Sequence, residues 1–213
     1  MKFELPDKKL LQKTGDVDYF DWNYKFPINI IQKYRFKAIS RLLDNIRVHS
    51  LLEIGTGSGI FLPQLSKYCE ELYACDIHNK FDNIERLCEY YNIKNYHVSQ
   101  QSIESTNYPD NFFDIIVGVS VLEFIQNLNK AIIEIKRILK NGGIFLTIIP
   151  MQSNLLEFFV SLYSAKKPAK EFINSREAII NELEKNFKVV NKGYMISVFG
   201  RYFPVYTHYK LSK

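Results

Sequence analysis

Two carboxylates and three glycines carry the first chemical suggestion. Glu53 stands two residues ahead of the run Gly55-Thr56-Gly57-Ser58-Gly59, and Asp76 follows 17 residues past Gly59. A dinucleotide site spaces its glycines G-x-G-x-x-G and sets a pyrophosphate on the helix that follows. Here the third glycine comes one residue early, and Ile60 occupies its place. Glu53 would crowd an anionic phosphate and suits a positively charged ligand instead. Asp76 is an acceptor-only group and can receive both hydroxyls of one ribose. The pair therefore points to a phosphate-free, cationic nucleoside.

The elements that must position these groups follow from pattern. Ser50–Ile54 is predicted as a buried strand, and Ile60–Leu65 as the start of a helix. Glycines between them permit backbone angles that other residues resist, and a missing Cβ lets a ligand approach. Glu71–Asp76 forms a second strand with Asp76 at its carboxyl end, where open α/β sheets bind their ligands. Ile77 would offer an apolar face to a base. Residues 81–92 form a helix, Asn95–Ser99 a third strand, and Asp114–Val119 a central parallel strand buried on both faces. The period from Asn129 to Leu139 gives a helix that Asn141-Gly142-Gly143 should stop, before the strand Ile144–Pro150. Ser175 caps a helix over Arg176–Asn186, and Phe187–Val190 and Tyr206–Leu211 are the last strands, the final one antiparallel.

Ahead of this core, residues 30–42 show helical spacing. Ile30, Ile31, Tyr34, Ala38, Ile39 and Leu42 form the inward stripe, and Lys33, Arg35, Lys37 and Arg41 face elsewhere. Beyond the core, Leu155, Phe158, Phe159, Leu162 and Tyr163 form an amphipathic stripe that could pack over the site or meet a partner or membrane surface.

The series from Ser50 to Pro150 resembles the class I S-adenosylmethionine-dependent methyltransferases, of the type acting on small molecules. The resemblance rests on the Glu53–Gly59 turn, Asp76, the segment Pro109-Asp110-Asn111-Phe112-Phe113-Asp114, the segment Ser120–Ile125 and the helix–glycine–strand ending in Pro150. It implies a Rossmann-like, doubly wound α/β sheet of seven mostly parallel strands with an antiparallel last strand. One domain spans 1–213, with an N-terminal helical cap over 1–49, a cofactor-binding core over 50–150 and a substrate-facing helical insertion over 151–174.

The implied cofactor is S-adenosylmethionine, leaving S-adenosylhomocysteine after in-line displacement. Its expected contacts are Glu53, Gly55, Thr56, Gly57, Gly59, Asp76, Ile77, Ser102, Ile103, Gly118 and Val119. Many relatives carry Gly-Asp where this chain has Gln101-Ser102, so Ser102 would meet the adenine without a charge. Relatives often carry His at the position of Phe124, which removes the most obvious base. Glu123, Tyr24, His78 and His208 remain as candidates for proton transfer. Tyr19, Trp22, Tyr24, Phe124 and Phe158 are candidates to line the acceptor pocket.

Composition bounds the acceptor. Residues 1–50 hold 10 basic and 6 acidic side chains and residues 151–213 hold 10 and 5, against 8 and 12 in between. Two basic flanks around an acidic middle read first as a solvated basic surface, and alternatively as the frame of an opening for an acidic substrate. The segment Gly118-Val119-Ser120-Val121 lacks the Asn/Asp-Pro-Pro-aromatic motif of amino-directed nucleic-acid methyltransferases. An RNA substrate stays an alternative on charge alone, as does a cofactor-binding protein that never turns over. An NAD-dependent oxidoreductase lacks its glycine spacing. Three cysteines without C-x-x-C spacing predict neither a disulfide framework nor a metal site, and with no apolar run of spanning length a cytoplasmic protein is expected.

Overall fold

A computed structural model describes residues 5–15, 18, 20–26, 28–150, 172–201 and 204–213. Its elements are α1 (Ile28–Leu42), β1 (Val48–Ile54), α2 (Leu62–Leu65), β2 (Cys69–Asp76), α3 (Asp82–Tyr90), β3 (Tyr96–Gln100), β4 (Phe113–Val119), α4 (Leu128–Ile138), β5 (Leu139–Pro150), α5 (Arg176–Asn186), β6 (Lys188–Arg201) and β7 (Pro204–Ser212). The strands form one sheet in the order β3-β2-β1-β4-β5-β7-β6. Neighbours from β3 to β5 pair in parallel, and β7 pairs antiparallel with both β5 and β6. The seven-stranded, doubly wound α/β sheet with an antiparallel last strand is thus observed.

Strands β1 and β4 are buried on both faces because helices cover each side. Leu51 and Ile115 join Phe36, Leu65 and Ile84 in one apolar cluster, while Leu52 and Ile116 join Ile132, Ile135 and Leu183 in the other. The strand order changes direction beside β1, between β1 and β4, which opens the crevice at their carboxyl ends. The motif Pro109–Asp114 proves to be a brace. Asp114 accepts from the Ser50 N–H at 2.9 Å and pairs with Lys140 at 2.6 Å. Arg137 of α4 holds Asp110, Glu134 and the Tyr108 carbonyl. Cys69, Cys75 and Cys88 are free and buried.

Several local expectations shift. The inward face of α1 is rotated from the predicted one. Ala38 and Ile39 are buried, but Ile30 and Tyr34 are 41% and 47% exposed, and Gln32, Phe36 and Leu43 turn inward. Full burial of Phe36, Ile39 and Leu43 is worth ~1.5–3 kcal/mol each, which outweighs the exposure of two partly covered side chains. The Ile31 side chain lies outside the described part.

Helix α4 ends at Ile138, before the glycines. Leu139 is already extended and pairs with Phe113 beside a register shift, so Gly142, at φ +75°, turns within the strand. Helix α2 is only four residues long, with Pro63 in its first turn and a 3-10 turn after it. Strand β6 runs far beyond Val190. Asn191-Lys192-Gly193, past the expected end of the strand, belongs to it as well. Gly193 is needed there because a Cβ would sit 2.5 Å from the His208 ring. The predicted insertion 151–174 lies, up to residue 171, outside the described residues.

Candidate cofactor and acceptor site

The glycine turn is built by three left-handed residues, Gly55, Gly57 and Gly59, at φ +65°, +51° and +77°. Their uses differ. A Cβ on Gly55 would lie 2.3 Å from Val121 Cγ2, so this glycine seats the turn against the segment after β4. A Cβ on Gly59 would press on Leu62, Ile84 and Leu87, so it lets α3 approach. Gly118 likewise makes room for Ile54 and Val121. Among the described residues, Gly57 alone of these faces open space, with only Thr14 Oγ1 at 3.9 Å. It is the part of the turn that a ligand can meet.

Two carboxylates flank it. Asp76 Oδ2 accepts the Gly57 N–H at 2.8 Å, and Oδ1 accepts the Ile77 N–H at 2.7 Å. Glu53 is buried and accepts the Thr56 hydroxyl at 2.7 Å. Burial, reinforced by Asp76 and opposed by Thr56 and Arg35, pushes the Glu53 carboxyl up to about 8. The N–H that a phosphate would need is therefore already spent on Asp76, and the walls are acceptors. This acceptor set fits ribose hydroxyls and an ammonium or sulfonium better than a pyrophosphate. Ile77, just past β2, is 74% exposed, and Ile103 is largely buried. Ser102 Oγ accepts the Glu104 N–H at 3.2 Å.

The candidate bases fare differently. Both ring nitrogens of His78 are engaged, Nε2 with the Gly57 carbonyl at 3.1 Å and Nδ1 with the Lys80 N–H at 3.1 Å. Nε2 must be the protonated one, so His78 clamps the turn and has no free lone pair. The Tyr24 hydroxyl donates to the Pro6 carbonyl at 2.6 Å, and burial with Tyr91 and Asp7 nearby raises its pKa far above the ordinary value. It ties the N-terminal segment down. His208 pairs through Nε2 with Asn191 at 3.1 Å, and burial lowers its pKa.

Glu123 differs from these three. It is 3% exposed, neither carboxyl oxygen has a hydrogen-bond partner in another described residue, and burial pushes it up to about 8 against the pull of its own backbone N–H and of Arg35. Phe124 packs edge-on against Phe172 at 5.4 Å. Val119 ends β4 with its side chain in the α1-facing cluster. Tyr19, the Trp22 side chain and Phe158 lie outside the described residues. Thr14 and the neighbouring chain do lie against the crevice. Asn83 donates to Gln12 at 2.8 Å, and the Lys80 ammonium reaches the Lys13 carbonyl at 3.5 Å.

Arg35 is the residue that the sequence pattern misplaced. It turns toward the crevice and donates to Ser120 Oγ at 3.1 Å and to Gln32 Oε1 at 2.9 Å. Ser120 sits at φ +51°, an uncommon conformation for a residue with a Cβ, at the carboxyl end of β4. The spacing Gln32-Phe36-Ile39-Leu43 was the signal that places α1 with this face inward.

Comparison with known proteins agrees with this geometry. The methyltransferase domain family matches residues 52–147. An uncharacterized methyltransferase of Bacillus subtilis, YcgJ, is 27% identical over 150 residues, covering 68% of this chain and 58% of that protein. An uncharacterized Methanocaldococcus jannaschii protein, MJ1123, is 31% identical over 177 residues, covering 80% and 76%. Against several other curated relatives the chain spans about half of their length. The N-methyltransferase NodS of Bradyrhizobium japonicum, in complex with S-adenosylhomocysteine, shares the fold at a TM-score of 0.69, with 18% identity and 96% of each chain covered. With the motif order, the sheet and an acceptor-lined crevice that fits its cofactor, the chain belongs to the class I S-adenosylmethionine-dependent methyltransferases.

Proposed function

We propose that this protein transfers a methyl group from S-adenosylmethionine to a small-molecule or lipid-like acceptor. The observation that carries the reading is the crevice itself, where Asp76 and Glu53 present acceptors on either side of the open Gly57. Asp76 would hold the ribose, Glu53 would stand toward the positive end of the cofactor, and Ile77 and Ile103 would flank the base. When bound, the cofactor supplies an electrophilic methyl on sulfur. The protein's part is to hold an acceptor in line and keep water out, and such positioning can lower a barrier by ~7–11 kcal/mol. Glu123, when ionised, can take a proton at its unpaired carboxyl if the acceptor must lose one.

The test has two stages. The purified protein should bind S-adenosylhomocysteine in a calorimeter, and Asp76→Ala should weaken that binding at least ~10-fold, the worth of one ribose hydrogen bond to a charged group. Labelled methyl transfer to a metabolite panel then tests turnover. An affinity unchanged by Asp76→Ala removes ribose recognition from the account. Binding that weakens steeply with salt in the presence of RNA, together with RNA labelling, would replace the small-molecule acceptor.

A further inference from the structure

Helix α1 gives one face to the core and leaves the opposite face uncovered. The Asn29 N–H donates to the Lys25 carbonyl at 2.9 Å, so Phe26 already belongs to the helix's first turn. At 3.6 residues per turn, Phe26, Ile30, Lys33, Tyr34, Lys37 and Arg41 fall within an arc of about 100°. Phe26, Ile30 and Tyr34 stand four residues apart in one row and are 72%, 41% and 47% exposed. Lys33, Lys37 and Arg41 are exposed beside them, and none pairs with an acid among the described residues. Residues 22–47 hold six basic side chains and one acid, Asp44, which lies past the end of α1.

The chain treats its other surfaces differently. Lys8, Arg137, Lys140 and Lys192 each hold a carboxylate. A single exposed apolar side chain, such as Ile133 on α4, needs no explanation, but a row of three between unpaired cations does. A purely apolar partner would strip water from the cations and give them nothing in return. A nucleic acid would satisfy the cations, yet Ile30, in the middle of the row, offers a base no ring to stack on. A bilayer with anionic lipids answers both features, because apolar tips enter the headgroup boundary while lysine and arginine stems reach the phosphates.

The place of α1 in the fold agrees. Residues 43–47 carry α1 into the start of β1, so the other end of the helix points toward the carboxyl ends of the strands. Arg35, midway along α1, already reaches Ser120 just past β4. Phe26 and Ile30 therefore lie at the level of the crevice mouth or beyond it, and Arg41 trails away from it.

We propose that this face of α1 docks the protein on an anionic membrane surface, with Phe26 and Ile30 entering the interface and Lys33, Lys37 and Arg41 facing lipid phosphates. The contact is peripheral, since among the described residues no helix is long and apolar enough to cross a membrane. Docking goes beyond methyl transfer and does not depend on it. It would set the crevice mouth beside the layer in which a lipid-like acceptor resides.

Cosedimentation tests this with vesicles of phosphatidylcholine, with and without phosphatidylglycerol, at low and high salt. Wild type is compared with two double variants, Lys33→Glu with Lys37→Glu and Phe26→Ser with Ile30→Ser. Wild type should bind the anionic vesicles, lose them at high salt and ignore phosphatidylcholine alone. One basic side chain near such a surface is worth about fivefold, so the charge-reversed variant should bind at least ~25-fold more weakly. The serine variant should lose ~10-fold or more and keep its salt dependence. Both variants should melt and bind S-adenosylhomocysteine as wild type does, which separates lost docking from lost folding.

Equal binding to both vesicle types, or an unchanged affinity for anionic vesicles in either double variant, overturns the proposal. So does a dimer in sedimentation velocity that the serine variant separates, which would give the row to a second copy of the chain. RNA binding that the charge-reversed variant loses, with no vesicle binding in wild type, would give the face to a nucleic acid instead. Vesicle and nucleoside binding are read separately, so a wild type that fails to bind S-adenosylhomocysteine overturns the crevice reading and leaves docking standing.

Discussion

Replacing Gly55 and Gly57 by alanine, one at a time, separates packing from ligand access within a single turn. Both residues sit at positive φ, +65° and +51°, where an alanine costs ~1–2 kcal/mol. At Gly55 the new Cβ would also fall 2.3 Å from Val121 Cγ2 and 2.9 Å from Val121 Cβ, against a partly buried side chain just past β4. Overpacking of that kind adds ~1–3 kcal/mol, so Gly55→Ala should lose ~2–5 kcal/mol. At Gly57 the nearest atom is Thr14 Oγ1 at 3.9 Å, and the loss should stay at ~1–2 kcal/mol. Ligand affinity should run the other way, with Gly57→Ala harming S-adenosylhomocysteine binding more per unit of stability lost. Urea unfolding measures the first quantity and calorimetry the second. Val121→Ala combined with Gly55→Ala should cost less than the sum of the two by at least ~0.5 kcal/mol. Equal stability losses at the two glycines, or strict additivity with Val121→Ala, would refute the division of labour in the turn.

Stability should also respond to pH. Glu53 and Glu123 both titrate near 8 when folded because burial disfavours their charged forms. Between about pH 5 and 8 the folded chain therefore holds more protons than the unfolded one, and stability falls as pH rises, by up to ~1.4 kcal/mol per pH unit for each group. Thermal unfolding at pH 5.5 and pH 8 should show this fall, and Glu53→Gln with Glu123→Gln should flatten it. A wild-type profile already flat across that window would show that neither acid is held protonated. Ser175 caps α5 by accepting the Ala178 N–H at 3.2 Å, so Ser175→Ala should cost ~1 kcal/mol in urea unfolding without changing nucleoside affinity.

The core was legible because its signals are local. Strands β1, β2 and β4 are apolar runs that end in chemistry, and their observed ends at Ile54, Asp76 and Val119 fall where the pattern put them. Asp76 was found by its position at a strand end, and Glu53 by its distance from the first glycine. What stayed hidden depends on partners far along the chain. No periodicity shows that His78 will give both nitrogens to backbone groups or that Tyr24 will spend its hydroxyl on Pro6. The length of β6 could not be read because Gly193 looks like a breaker, and its reason is the ring of His208 across the strand pair. Arg35 was assigned outward by its charge. Phe36, Ile39 and Leu43 fix the helix face, and they carry the arginine inward with them.

The three cysteines give the molecule an unplanned instrument. All are buried, and burial pushes each thiol up to about 12, so on the order of one in ten thousand is reactive at pH 8. Two bracket β2 at its start and near its end, and the third lies on α3. A maleimide dye added to native protein should stay dark until this half of the sheet opens, and its rate of attachment would then time that opening without any engineered tag.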